Sequence, residues 1–98
     1  MILEPATVSG EKSASAVIYA APAALIGIDL LPPSSGIATL KIYDHPSAAS
    51  GTIVAELVVA AGMNAQSVHL AVSRRALTGL YASLTGTTTY IVAFHPMF

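Results

Sequence analysis

The chain has no cysteine and no tryptophan, and only 9% of its residues are charged. Without cysteine, disulfide staples and thiolate zinc sites are excluded. The four basic residues, Lys12, Lys41, Arg74 and Arg75, leave a formal net charge of -1, so nothing supplies the clustered cations that displace counterions from nucleic acid. No nucleic-acid partner is expected. None of the seven glycines sits in a spaced cluster opening a helix, which argues against a phosphate cradle. The N-terminus lacks a basic segment ahead of an apolar one, so no secretory signal is expected. One candidate membrane run, Ala14 to Ile28, is uncharged, but it is shorter than the roughly 20 residues a membrane helix needs and contains Pro22. Two strands with a turn at Ala21-Pro22 are the expectation there, and no membrane partner.

Apolar residues are abundant by contrast, at 54% of the chain. A single domain of 98 residues cannot hide that many in one core, so part of its surface is expected to meet other protein. The domain is expected to span residues 1–98, with an N-terminal arm at 1–10 and a short tail at 96–98.

The pattern of these apolar residues has a period of two. Between Gly36 and Ala60, Leu40 and Ile42 alternate with Lys41 and Tyr43, and Ile53, Ala55, Leu57 and Val59 repeat the alternation after the break Asp44-His45-Pro46-Ser47-Ala48-Ala49-Ser50-Gly51. This reads as a β-hairpin with a longish connection. A short strand is expected around Ala6 to Ser9, then one at Ser13 to Ala20, and a period-2 set at Ala24, Ile26, Ile28 and Leu30 closed by Pro32-Pro33-Ser34-Ser35-Gly36. Further strands are expected at Ala65 to Ser73, Leu77 to Thr85 and Thr87 to His95, with Arg74-Arg75 as a loop; Thr78 and Gly79 weaken a helix over Ala71 to Leu80. Seven or eight short strands with turns every 8 to 12 residues or so predict an all-β antiparallel sandwich, jelly-roll-like.

Chemistry is sparse. Ser9-Gly10-Glu11-Lys12 has the Ser-x-x-Lys spacing of some acyl-transfer enzymes, but their companion motifs Ser-Asp-Asn and Lys-Thr-Gly are missing, so a polar turn is expected. Asp44 and His45 lack the spacing that would gather His69 or His95 into a metal site. No metal or cofactor is predicted, and Asp44 is expected to accept hydrogen bonds from the amides of the loop that follows it. With acids and histidines scattered, no enzymatic activity is expected. Tyr19, Leu25, Leu31, Val54 and Val58 are predicted to form an exposed apolar face, and Arg74-Arg75 a solvated loop or an ionic contact with an acidic partner.

The residues Ile42-Tyr43-Asp44 and Ser47-Ala48-Ala49-Ser50-Gly51-Thr52-Ile53, with the later Thr78-Gly79-Leu80-Tyr81 and Leu84-Thr85-Gly86-Thr87, resemble small β-sandwich structural proteins of tailed bacteriophages, especially capsid decoration, or cement, proteins. The likeness covers Leu25 to Phe94; His45-Pro46 and Pro32-Pro33 depart from it in their loops. It implies a virion protein on the outer capsid surface that binds the shell of major capsid protein, as a dimer or trimer at a lattice symmetry axis. Low charge and the apolar ends suit this, and the expected contacts are Met1, Ile2, Leu3, Tyr19, Leu31, Arg74, Arg75, Met97 and Phe98. A tail, fibre or baseplate component is the alternative in the same class. A carbohydrate-binding module is the alternative outside it, poorly supplied by the aromatics Tyr19, Tyr43, Tyr81, Tyr90, Phe94 and Phe98.

Overall fold

The structure, a computed structural model, describes residues 7–96, and the backbone alone at residues 69–73. Met1, Ile2, Leu3, Met97 and Phe98 therefore lie outside the described residues. The chain forms β1 (Thr7–Val8), β2 (Ala16–Tyr19), β3 (Ala23–Leu30), β4 (Ile37–Asp44), β5 (Thr52–Ala60), β6 (Gln66–Ala76), β7 (Leu80–Thr85) and β8 (Tyr90–Pro96). They build two four-stranded sheets, ordered β1-β8-β3-β6 and β2-β7-β4-β5, and every pairing is antiparallel. Apart from the β4–β5 hairpin, each connection crosses from one sheet to the other. That is jelly-roll topology.

The core lies between the sheets. Leu25 and Leu30 of β3, Leu40 and Ile42 of β4, Leu80 and Ala82 of β7 and Tyr90 and Val92 of β8 are wholly buried. Full burial of each large apolar side chain stabilises the fold by about 1.5–3 kcal/mol. Alternation in β4 and β7 follows the sequence pattern, with Lys41, Tyr43, Tyr81 and Ser83 on the outer face.

In β3 and β5 the alternation changes phase. Leu25 pairs with Phe94 and Gly27 with Ala93, which leaves Ile26 as an extra residue, so the inward set is Ala23 and Leu25, then Ile28 and Leu30, not one run through Ala24 and Ile26. In the hairpin, Ile42 faces Ala55 and Tyr43 faces Ile53; Val54 is the extra residue, buried, while Ile53 turns outward. A bulge inserts one residue and flips every side chain beyond it. Two further corrections follow from register. Arg74 and Arg75 lie within β6, opposite Leu25 and Ala24, and not in a loop. Of the residues expected to form one exposed apolar face, Leu25 and Val54 are core, Tyr19 is half-buried, and only Leu31 and Val58 are exposed.

Ala14 to Ile28 forms the end of the β1–β2 connection, β2 and most of β3. No described helix is long and apolar enough to cross a membrane. The Ser-x-x-Lys segment is an edge seam: the Ser9 amide donates to the Val92 carbonyl, the Val92 amide donates to the Ser9 hydroxyl, and Lys12 exchanges backbone hydrogen bonds with Tyr90.

Candidate functional site

One end of the sandwich gathers most of what the sequence singled out. The chain enters β1 at Thr7, opposite Phe94, and β8 runs out at Pro96. Thr7 and Pro96 therefore lie at the same end of the same sheet. There β3 begins, with Ala24 flanked in register by His95 on β8 and Arg75 on β6. Leu25 alternates inward, so Ala24 and the exposed Arg75 face outward. Arg74 points the other way. Its guanidinium reaches across the open edge of the sandwich and donates to the Val54 carbonyl at 2.5 Å, closing β6 onto the bulge of β5. The guanidinium borders a gap of about 130 Å³ between the sheets, lined chiefly by Leu25, Ile28, Ala55, Leu57 and Val68.

The loops at this end are tied by two side chains. Asp44, the last residue of β4, accepts from the Leu77 amide at 3.0 Å, the Thr78 amide at 2.8 Å and the Thr78 hydroxyl at 2.9 Å. Its target is thus the β6–β7 loop and not the loop that follows it. That following loop is closed by His45, whose Nδ1 accepts from the amides of Ser47 at 3.1 Å and Ala48 at 3.0 Å. Desolvation pushes the Asp44 carboxyl upward, but hydrogen bonds from Leu77, Thr78 and Gly79 outweigh it and hold the group below its ordinary 3.8. A lowered acid stabilises the fold at neutral pH, and that contribution is lost as pH falls through the depressed value. For Asp44→Ala, which leaves two amides at a solvent-accessible site, thermal unfolding at pH 7 is expected to show a loss of about 1 kcal/mol, a drop of roughly 4–8 °C. The gap between variant and parent should close in strong acid, where the parent carboxyl is also neutral.

Around this tied end lie exposed apolar groups. Leu77, in the loop held by Asp44, is 68% exposed. On the outer face of the second sheet one register row crosses all four strands, Val17 on β2, Tyr81 on β7, Tyr43 on β4 and Ile53 on β5. Its two end residues are exposed and its tyrosines half-buried. On the first sheet the outer face carries a shallow groove of about 320 Å³ lined by Val8, Gly27, Ile28, Asp29, Ile91 and Ala93, and Asp29 accepts a hydrogen bond from the Ser67 hydroxyl beside it.

Comparison with family models, with curated proteins and with solved structures finds no match to this chain. Among the described residues no three His, Cys, Asp or Glu side chains come together to hold a metal ion. Arg75 belongs to the end described above; Tyr19 packs inside it, its ring 5.3 Å from that of Phe94. Leu31 follows β3 at the opposite end, its amide bonded to Thr89, and does not join the others. Neither Leu77 nor the Val17–Tyr81–Tyr43–Ile53 row is marked by the sequence pattern. Leu77 looked like part of a strand, and the row exists only once four strands are in register.

Proposed function

We propose that this is a non-enzymatic structural protein that docks on an assembled protein shell through the end of the sandwich that carries Thr7 and Pro96, as a capsid decoration protein of a tailed phage would. The observation that carries this is that Thr7 and Pro96, from which the apolar-rich segments 1–6 and 97–98 continue, lie on neighbouring strands at the end of the sandwich that also carries exposed Leu77 and Arg75. Two segments and a rim at one end of the sandwich can reach the same partner surface. Jelly rolls also serve unrelated functions, so the fold alone carries none of this. The loops at this end are held by Asp44 and His45, which lowers the ordering cost that docking would otherwise carry. An apolar rim with the exposed Arg75 fits an interface in which burial supplies affinity and charge supplies orientation.

Incubating undecorated phage heads with protein lacking residues 1–6, residues 97–98 or both, and pelleting the heads, tests this directly. Each truncation is expected to lower occupancy, and the double truncation to lower it by at least tenfold. Full occupancy by the doubly truncated protein would remove the arms from the account.

A further inference from the structure

The outer face of the β2-β7-β4-β5 sheet has a second property, seen in its β4–β5 half. Four outward register pairs lie there side by side: Tyr43 with Ile53, Lys41 with Glu56, Thr39 with Val58, and Ile37 with Ala60. Ile37 is 62% and Val58 51% exposed. Within this hairpin half, Lys41 and Glu56 form the one pair of opposite charges, in a chain with little charge to place. They stand at the same height on adjacent strands. A two-fold axis running along the strands between β4 and β5 would lay this face on a copy of itself with Lys41 over the partner's Glu56, and Glu56 over the partner's Lys41. The same operation sets Tyr43 against the partner's Ile53, and Val58 against the partner's Thr39. Every row is its own complement under that operation, as an isologous interface requires.

We infer that two copies of this chain associate face to face through the outer surface of the β4–β5 hairpin, with the Lys41 and Glu56 charges crossing the interface and Ile37, Tyr43, Ile53 and Val58 supplying the buried apolar surface. Sheets stack about 10 Å apart with strands roughly aligned, so the contact repeats the packing found inside a sandwich. An axis along the strands has a further consequence. Both copies then present the arm-bearing end on the same side, and the dimer becomes a two-footed ligand for a repeating shell. That bivalency rests on the docking reading above; the dimer does not.

Sedimentation velocity of the full chain over a concentration series is the test. The expected species at high concentration has twice the 10.0 kDa chain mass. Val58→Lys and Lys41→Glu are each expected to weaken association at least tenfold, and Lys41→Glu combined with Glu56→Lys to restore it, because the double change exchanges the charges without removing them. Far-UV circular dichroism checks that each variant folds, and the two charge variants decide the matter if Val58→Lys does not. A chain that stays monomeric at about 100 μM, above the range of an ordinary specific dimer, overturns the inference. So does a dimer unmoved by Lys41→Glu. Failure of docking would look different: normal dimer mass with no binding to heads. If both readings hold, folded dimer-breaking variants bind heads with an apparent affinity about 10²-fold lower, through loss of avidity.

Discussion

Gly79→Ala is expected to be among the most destabilising single-atom additions in the chain, at about 3 kcal/mol or more. A methyl group there would sit 2.8 Å from the Pro46 Cα and 2.8 Å from the Tyr19 carbonyl oxygen, with the His45 carbonyl oxygen at 3.1 Å. All three neighbours are backbone, so no side chain can swing aside. The contact exists because Gly79 is the point where the β6–β7 loop passes between the ends of β2 and β4 before β7 begins. To admit the methyl, the loop must lift away, which pulls the Leu77 and Thr78 amides from Asp44. In a domain of this size the loss corresponds to roughly 12–24 °C in melting temperature, measurable by scanning calorimetry. A variant melting within a few degrees of the parent would show that the loops at this end are less tightly held than described.

Tyr90→Ala is expected to cost a comparable amount, about 3–5 kcal/mol, by emptying the largest wholly buried side chain from the core. Tyr90→Phe separates the ring from its hydroxyl. That hydroxyl donates to the Ala14 carbonyl at 2.7 Å, and its loss should cost only about 1 kcal/mol. The two variants also differ in their response to alkali. Burial, with a smaller contribution from the nearby Tyr81, pushes the Tyr90 phenol from 10.0 up to about 12. A raised phenol favours the folded state while it is neutral, so its contribution is intact below pH 10 and declines as pH rises from 10 towards 12. Tyr90→Phe should therefore flatten that part of the alkaline stability profile. Urea midpoints at pH 9, 10 and 11 give the comparison; parallel profiles for parent and variant would contradict the burial of this group.

The strand plan was legible because alternation at period two survives in a chain rich in Ala, Val, Ile and Leu, and because Pro32-Pro33, Gly51, Gly62 and Gly86 punctuate it. Direction of facing was legible only where strands are regular. Leu40, Ile42, Leu80 and Ala82 point inward as their pattern predicts, whereas Ile26 and Val54, the bulge residues, look no different from their neighbours. One added residue was enough to turn Leu25 and Val54 from exposed to core. Arg74-Arg75 read as a loop because paired charges favour solvent, yet an edge strand gives the same access and lets one arginine cross to Val54. Asp44 was assigned to the wrong loop because its partners lie over thirty residues away, across a crossover that alternation does not encode. The end proposed to dock was half legible: its terminal segments and Arg75 are visible in the sequence, while the placement of Thr7 beside Phe94 depends on β1 lying against β8.

Hydrogen–deuterium exchange of the protein, free and bound to undecorated phage heads, tests the central claim most directly. Docking through the arm-bearing end predicts new protection in residues 1–8, 74–79 and 92–98, with none gained in the loops 31–36 and 61–65 at the far end. Protection confined to those far loops, or no change anywhere on mixing, would contradict it.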